Sequence, residues 1–281
     1  MKNPGMRVMR DDGRWKRRRL LTARGAGGTL ECMKLAVIIP AAGNSKRFGH
    51  ADKLSQDLGG RRLLLRAVEA FVKREETTAL IVAAPPEDVP GFKERFGPQL
   101  SFHGATIVEG GRTERWESVR NALSVVPEDI THVAVHDAAR PLVTQTLLDR
   151  ILDAARIHSA VIPGVAVSST LKRIGDETVK AAMDDGIADA ILGAPDADTG
   201  APIARKVLET VSREGVVAIQ TPQVFERELL ERAYDHQNLA GATDDAMLVE
   251  KLGEPVVVVE GDPCNIKVTT QQDLDLARRL V

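Results

Sequence analysis

The amino-acid sequence predicts an α/β fold with a doubly wound, mostly parallel sheet. Two observations support this prediction. Short, continuous apolar runs rich in β-branched residues, such as LAVII at residues 35–39, are typical of strands that are buried on both faces. These runs alternate with segments of helical period, such as residues 62–73, where Leu64, Val68 and Phe71 fall on one face. Alternating strands and helices are the pattern of a parallel sheet covered by helices on both sides.

The alternation continues through the first 174 residues. After the first strand and helix, the pattern predicts helices at 114–126 and 144–158, and strands at 79–85, 105–111, 132–137 and 159–174. Ligands of such sheets bind beyond the carboxyl ends of the strands. We therefore expect three segments that follow strands to converge on one site, namely residues 40–49, 110–115 and 137–140.

The pattern changes between Gly175 and Glu209. This stretch is rich in Asp, Ala and Gly and has only a weak helical period, so we interpret it as an insertion that leaves the sheet. Regular alternation resumes at residues 215–225. The remaining predicted elements are helices at 225–236 and 244–253, a strand at 255–261, and a closing helix after residues 265–269.

The net charge of −2 conceals a basic N-terminal segment, because residues 1–24 hold nine Lys or Arg and two Asp. The rest of the chain is mildly acidic, which argues against general nucleic-acid binding. We interpret residues 1–32 as a disordered, basic N-terminal extension, with Met33 as the natural start. Residues 33–281 then form a single domain.

Membrane segments and disulfides are not expected. No apolar stretch is long enough to span a bilayer, so we expect a soluble, cytoplasmic protein without a membrane partner. Cys32 and Cys264 are the only cysteines, and their spacing fits neither a disulfide framework nor a zinc site.

The first strand ends in Pro-Ala-Ala-Gly at residues 40–43, and Lys46 and Arg47 follow. Small residues let a ligand approach the backbone closely, and Gly43 can adopt backbone angles that are closed to other residues. A basic pair beside such a loop favours phosphate, although an ordinary turn with two solvated charges has the same composition. The glycine spacing fits neither the P-loop nor the dinucleotide-binding fingerprint.

A second polar cluster, VHDAARP, occupies residues 135–141. Asp137 stands where a predicted strand ends, and a carboxylate there can hold Mg²⁺ together with substrate phosphates. It can also cap the next helix, since Asp is a preferred N-cap residue. Arg140 can bind phosphate or pair with an acidic neighbour.

Four later polar segments do not indicate a function individually, but they add to the set of candidate site segments. They are STLKR (169–173), QTPQ (220–223), TDD (243–245) and NIKVT (265–269). Together with PAAGNSKRFG, GGRTERWESV and VHDAARP, they make the sequence from Lys34 onward similar to the 2-C-methyl-D-erythritol 4-phosphate cytidylyltransferase family of the non-mevalonate isoprenoid pathway. The resemblance implies a Rossmann-like sheet with a protruding β-arm, here at about residues 168–214. It also implies a homodimer in which the arms are exchanged between subunits.

The resemblance further implies a role for each matching position. The residues implied in nucleotide binding are Ala41, Ala42 and Gly43 in the loop around CTP, the paired glycines Gly110 and Gly111, and Ser118 at the cytosine. The residues implied in catalysis are Lys267 and the basic pair that stabilises the α-phosphate, Arg47 and Lys53. The residues implied in acceptor binding are Asp137, which also lies near Mg²⁺, Arg140, Thr221, Thr243, and two arm residues that reach the acceptor of the partner subunit, Thr170 and Arg213.

The implied reaction is in-line attack by the acceptor's phosphate oxygen on the α-phosphorus of CTP, with pyrophosphate as the leaving group. Such a reaction needs positioning and charge neutralisation rather than a covalent nucleophile. Mg²⁺, Arg47, Lys53 and backbone amides can supply both.

Three departures from the family pattern keep two alternatives open. Residues 50–56 are one residue shorter than usual before the second basic position, residues 110–118 are one residue longer, and the segment between Arg173 and Arg213 exceeds the usual arm. A cytidylyltransferase for another polyol phosphate, such as ribitol 5-phosphate, would share the CTP loop. A catalytically silent nucleotide-binding protein would keep the fold and bind CTP without releasing pyrophosphate.

Overall fold

The computed structural model of the chain describes residues 32–43, 48, 52–179, 204–236 and 238–281, and the backbone of residues 7–9 and 15–17. The chain divides into two compact units. The larger unit comprises Met1–Val165 and Ala218–Val281, and the smaller unit comprises Ala166–Val217.

The described strands are, in chain order, β1 (Arg7–Met9), β2 (Trp15–Arg17), β3 (Leu35–Pro40), β4 (Thr77–Ala84), β5 (Thr106–Glu109), β6 (His132–Val135), β7 (Ala160–Ala166), β8 (Leu171–Val179), β9 (Ala204–Val211), β10 (Val217–Ile219), β11 (Gln223–Glu226) and β12 (Val257–Glu260). The main sheet has the order β2-β1-β12-β7-β11-β6-β3-β4-β5, and β10 pairs with β7. Strands β5, β4, β3 and β6 are parallel neighbours, as are β7 and β12. The predicted α/β fold with a mostly parallel sheet is confirmed.

The described helices are α1 (Leu63–Val72), α2 (Val89–Phe102), α3 (Arg115–Leu123), α4 (Gln145–Ala155), α5 (Arg227–Tyr234), α6 (Ala246–Lys251) and α7 (Gln271–Arg279). They cover both faces of the sheet. Strand β3 shows this directly, because Val37 and Ile39 join one hydrophobic cluster with α1, α2, α4 and α7. Ala36 and Ile38, which point the other way, join a second cluster with α3, α5 and α6. The alternation of side chains along a strand thus places two cores on one sheet.

Strand β11 departs from the simple alternation. It is antiparallel to both of its neighbours, β6 and β7. Within residues 215–225, where the sequence predicts that regular alternation resumes, the structure has two strands, β10 and β11, separated by Gln220–Pro222 with a cis Thr221-Pro222 bond. The predicted strand at 159–174 is wrong as a single element, because it ends at Ala166 and β8 begins at Leu171.

The N-terminal segment contributes two short strands within the described residues. β1 pairs antiparallel with β12 and with β2. Both strands lie in residues 1–32, the segment for which the sequence predicts disorder, and most of that segment lies outside the described residues. The interpretation of residues 1–32 as an extension before the natural start at Met33 stays a prediction.

The smaller unit contains the antiparallel pair β8 and β9, in which Leu171 lies opposite Val211 and Val179 opposite Ala204. The sequence predicts an arm at residues 168–214 and an irregular insertion from Gly175 to Glu209. The two ends of that insertion are strands, because β-sheet pairing overrides the weak helical period there. Residues 180–203 lie outside the described residues.

Membrane-spanning helices are not found in the part of the chain that the structure describes, since none of its helices is both long and apolar enough.

Candidate active site

A cavity lies where the carboxyl ends of parallel strands meet. It is lined by Pro40–Gly43 after β3, by residues 111–115 after β5, and by Asp137–Ala139 after β6. Lys53 and Lys267 also line it. The three segments that the sequence predicts to converge therefore do so in their described parts. Arg47, the first predicted catalytic residue, lies outside the described residues.

The loop after β3 consists of small residues that line the cavity. The Ala41 amide donates to the Ala83 carbonyl at 2.8 Å, which continues the pairing with β4 past the strand end. Gly43 does not use the left-handed backbone region, although glycine is able to adopt it. A Cβ atom at Gly43 would meet nothing within 4 Å, so the residue leaves open space beside the loop.

Gly110 is required by close packing. A Cβ atom there would lie 2.5 Å from the Cβ atom of Ala42, 2.8 Å from the Ala84 carbonyl oxygen and 3.0 Å from the Ser118 hydroxyl oxygen. Gly111 is equally tight, because its Cβ atom would lie 2.2 Å from that of Glu117. The paired glycines therefore let helix α3 approach the loop after β3.

Ser118 is buried on α3 and faces this contact. Its hydroxyl oxygen accepts a hydrogen bond from the Gly111 amide at 2.8 Å. The hydroxyl hydrogen remains available to donate to another acceptor. The helix start is held by a capping box in which the Glu114 and Glu117 side chains each bond the other's backbone.

Asp137 is a nearly buried carboxylate surrounded by basic groups. Its Oδ2 atom lies 2.9 Å from Lys267 Nζ and 3.4 Å from Arg140 Nε, and its Oδ1 atom lies 3.6 Å from Arg115 Nε. Burial alone would raise the pKa of Asp137, but these positive charges outweigh it and hold the pKa well below its usual value. The carboxylate is therefore ionised at neutral pH.

A hydrogen-bond chain fixes the backbone around Asp137. The Asp137 amide donates to the Thr221 hydroxyl oxygen at 3.0 Å, and the Thr221 hydroxyl lies 3.2 Å from His136 Nδ1. His136 Nε2 lies 3.0 Å from the Arg140 carbonyl oxygen, so Nε2 carries the proton and Nδ1 accepts from Thr221. Burial lowers the pKa of His136 to about 4, which keeps the ring neutral.

The loop that carries Lys267 is tied to the segment before β11. Gln220 Nε2 donates to the carbonyls of Asp262 and Asn265 at 2.8 and 3.2 Å, and its Oε1 accepts from the Asp262 amide. Asn265 Nδ2 donates to the Thr221 carbonyl at 2.9 Å. Arg140 Nη1 donates to the Asn265 carbonyl at 2.8 Å. The QTPQ and NIKVT segments are thus one hydrogen-bonded assembly.

The remaining predicted residues have different surroundings. Lys53 begins a short 3₁₀ turn that is capped by Asp52, and its position in the cavity fits the predicted role. Thr243 is exposed, ahead of α6. Thr170 and Arg213 belong to the smaller unit, where the Arg213 guanidinium donates to the Ser168 carbonyl.

Sequence reasoning missed two charged residues that join this site. Arg115 lines the cavity, and its Nη1 atom lies 2.8 Å from Oδ2 of the fully buried Asp245. Burial alone would lower the pKa of Arg115, but the two carboxylates Asp245 and Asp137 raise it. The TDD segment was a usable signal for Asp245, although only the fold reveals its partner.

The metal-ligating capacity of the site rests on Asp137. Within the described residues, no group of three or more His, Cys, Asp or Glu side chains could hold a metal ion. A single carboxylate fits a Mg²⁺ ion whose other ligands are substrate phosphates and water.

Comparison with known proteins identifies the family. The family model for 2-C-methyl-D-erythritol 4-phosphate cytidylyltransferase matches residues 35–185 and 176–281. A protein of that name from Frankia casuarinae is 38% identical over 250 residues, covering 88% of this chain and 81% of the relative. One from Endomicrobium trichonymphae is 36% identical over 251 residues, covering 89% of this chain and 99% of the relative. The crystal structure of the Thermus thermophilus protein of that name is 34% identical, with a TM-score of 0.63 over 88% of this chain and 98% of the other. The chain therefore belongs to the 2-C-methyl-D-erythritol 4-phosphate cytidylyltransferase family.

Proposed function

We propose that this protein transfers the cytidylyl group of CTP to 2-C-methyl-D-erythritol 4-phosphate. The products are 4-diphosphocytidyl-2-C-methyl-D-erythritol and pyrophosphate. The observation that carries the proposal is the cavity, where a loop of small residues (40–43), two lysines (Lys53 and Lys267) and the ionised Asp137 lie at the ends of parallel strands. Family membership over nearly the whole length from residue 35 supports the same reaction.

The proposed reaction is a single in-line displacement at the α-phosphorus of CTP. The acceptor's phosphate oxygen forms the new P–O bond as the bond to pyrophosphate breaks, so no covalent enzyme intermediate is needed. The chain's contribution is to hold both substrates and to neutralise charge on the phosphate oxygens. We assign the charge neutralisation to Lys53, Lys267 and Arg47, and nucleotide binding to the loop at Ala41–Gly43.

The cytosine end of CTP is assigned to the contact between α3 and the loop after β3. Gly110 and Gly111 keep that contact close, and the bond that Ser118 accepts from the Gly111 amide leaves its own hydroxyl hydrogen available for the base. Specificity for a base requires such fixed donors and acceptors on a small, rigid wall. Backbone groups at these glycines complete the wall.

The acceptor is assigned to the Asp137 side of the cavity. Arg140 and Thr221 support this side chiefly through their bonds to the backbone and to Asp137. Thr243 is the exposed member of the predicted set. Thr170 and Arg213 are assigned to the acceptor bound by the partner subunit.

Mg²⁺ is the proposed cofactor, with Asp137 as its protein ligand and phosphate oxygens as the others. When bound, the ion offsets negative charge that develops on the phosphates. Lys267 Nζ lies 2.9 Å from Asp137 Oδ2, so a metal ion held by that oxygen would require Lys267 to move to another partner, such as a phosphate oxygen. Metal affinity is therefore expected to depend on the presence of CTP.

A homodimer and a cytoplasmic location complete the proposal. In the smaller unit, Val207 and Leu208 of β9 are 51% and 59% exposed, and an isolated two-stranded sheet is marginally stable, so a partner subunit is expected to cover it. Cys32 and Cys264 are both free thiols, which suits a reducing compartment.

Pyrophosphate release tests the function. Purified protein is assayed with Mg²⁺ and CTP, with methylerythritol phosphate, ribitol 5-phosphate or no acceptor. We expect release with methylerythritol phosphate alone. Release with ribitol 5-phosphate alone would overturn the acceptor assignment, and CTP binding by calorimetry without any release would indicate a silent nucleotide-binding protein.

A further inference from the structure

Asp245 is a fully buried carboxylate that does not reach the cavity, yet it is connected to it. Tyr234 donates its phenolic hydrogen to Asp245 Oδ1 at 2.5 Å, and Arg115 Nη1 contacts Oδ2 at 2.8 Å. Both carboxylate oxygens are therefore engaged. Asp245 shows no exposed surface. Among the described residues, Arg115 is the one basic side chain within 4.0 Å of it.

The backbone at Asp245 is fixed as firmly as its side chain. Gln223 Oε1 accepts from the amides of Asp245 and Ala246, both at 3.1 Å. Gln223 Nε2 donates to Asp244 Oδ2 at 2.8 Å. Because Gln223 belongs to the central strand β11, the position of Asp245 is set by the sheet rather than by the short helix α6 alone.

Arg115 connects this anchor to the site. It is the first residue of α3, and its guanidinium lies between Asp245 Oδ2 and Asp137 Oδ1, at 2.8 Å from Nη1 and 3.6 Å from Nε respectively. A planar guanidinium holds two carboxylates in a defined mutual orientation, which a lysine ammonium cannot do in the same way. The stronger contact is the one to Asp245, so Asp245 determines where Arg115 sits.

We propose that Asp245 is a positioning residue that acts through Arg115 to orient Asp137 on the acceptor side of the cavity. This inference rests on the proposed function. Asp137 Oδ1 faces Arg115, whereas Oδ2 faces Lys267 and Arg140. Without its anchor, Arg115 closes onto Asp137 as a direct ion pair. Asp137 then turns away from the acceptor side of the cavity, and turnover falls.

Loss of the Asp245 carboxylate is expected to destabilise the transition state more than it weakens nucleotide binding. Asp245 and Tyr234 do not line the cavity in which we place CTP. A displaced group costs turnover steeply, because a misplacement of about 1 Å can reduce the rate about 100-fold. We therefore expect Asp245→Asn to lower kcat by about that factor while the Kd for CTP stays near the wild-type value.

The experiment compares Asp245→Asn with two controls. Asp149→Asn removes a surface carboxylate that pairs with Arg74 on the opposite helical layer, and Leu152→Ala opens a buried cavity in α4. The first control matches the chemical change and the second matches a loss of stability. For each protein we measure kcat, KM for both substrates, CTP affinity by calorimetry and Tm.

The proposal is supported if kcat falls in Asp245→Asn but not in the two controls, with CTP affinity retained. Partial recovery of kcat in Asp245→Glu would add support, since the carboxylate is restored. If Asp245→Asn does not fold, Tyr234→Phe provides the comparison, because it removes a hydrogen bond to Asp245 from outside the cavity lining. Equal kcat in wild type and the folded variants overturns the proposal, and so does a fall in kcat that Leu152→Ala reproduces at the same Tm. An inactive wild type would instead refute the proposed function.

Discussion

Asp137 meets three basic side chains, and their exposure indicates which one moves to a substrate. The side chains of Arg140 and Arg115 are 11% and 24% exposed, whereas that of Lys267 is 41% exposed. A lysine ammonium on a flexible stem also changes partners more easily than a bridged guanidinium. Lys267 is therefore the group we expect to leave Asp137 for a phosphate oxygen.

Replacing Lys267 by methionine tests this role. We expect kcat to fall by about 100-fold, because one preorganised charge at the phosphates is lost. Tm should change little, since Arg115 and Arg140 still neutralise Asp137. Steady-state kinetics and thermal melts are measured beside Lys73→Met, an exposed lysine at the end of α1 that should behave like wild type. Normal kcat in Lys267→Met would remove it from the catalytic set.

His136 gives the folded protein a dependence on pH. Burial lowers its pKa to about 4, from an ordinary value of 6.5, so the unfolded chain binds a proton between these values and the folded chain does not. The free energy of unfolding must therefore fall as the pH is lowered through this window. The shift corresponds to at most about 3 kcal/mol.

Comparison of His136→Gln with wild type isolates this contribution. We expect the variant to lose less stability than wild type between pH 6.5 and pH 4.5, although it starts from a lower value because the bond from Thr221 is disturbed. Urea unfolding in EDTA at several pH values measures the slopes. His236→Gln, at an exposed histidine, is the control for the substitution itself. Parallel slopes for His136→Gln and wild type would contradict the neutral buried ring.

At the scale of elements, two glycines show opposite requirements. Gly110 joins β5 to α3, and an added Cβ would lie 2.5 Å from that of Ala42. Gly97 lies within α2, where an added Cβ would meet Lys93 at an ordinary 3.8 Å. The first position excludes a side chain for steric reasons, whereas the second accepts one.

The pair Gly110→Ala and Gly97→Ala tests that contrast. Gly110→Ala should lower the free energy of unfolding by about 1–3 kcal/mol through overpacking, and should weaken CTP binding because α3 moves off the loop. Gly97→Ala should raise the free energy of unfolding by about 0.5–1 kcal/mol, since alanine has a higher helix propensity than glycine. Chemical denaturation measures the free energy of unfolding of each variant, and calorimetry measures its affinity for CTP. A stabilised Gly110→Ala protein would show that the α3 contact is looser than described.

The elements that sequence reasoning found are those with strong periodicity. Buried strands and the amphipathic helices α1, α3 and α4 follow directly from their apolar patterns. Helix α2 escaped prediction because its 14 residues include Pro90, Gly91, Gly97 and Pro98, which lower helix propensity. It forms because Asp88 caps it, Pro90 occupies the first turn, and Phe92, Phe96 and Leu100 are buried. Tertiary burial there outweighs local propensity.

At the scale of the whole molecule, the proposed dimer depends on the smaller unit. Its strand β9 exposes Val207 and Leu208, which point to opposite faces of a two-stranded sheet. We expect Leu208→Asp to weaken dimerisation, so that light scattering gives a mass near the 30.4 kDa of one chain instead of twice that value. Val125→Asp, at an exposed apolar residue of the larger unit, is the control. A monomeric wild type would refute the dimer.

The site could be predicted in outline because its members follow strand ends, and the topology brings strand ends together. The sequence does not show which groups touch across the fold. Asp245 and Arg115 are 130 positions apart, and Gln220 and Asn265 are 45 apart, so their contacts exist only after the sheet has formed. The hydrogen bond from the Asp137 amide to the Thr221 hydroxyl, 84 positions away, is likewise visible only in the fold.

In the proposed cytosine site, the contact between Gly110 and Ala42 limits how base preference can be engineered. One wall residue has no side chain and the other has a single methyl group, so truncation offers almost no extra room for a purine. Widening that side would require α3 itself to shift. The longer connection between Gly111 and Ser118 is the adjustable part, and variation of its length is the route by which we expect nucleotide preference to change.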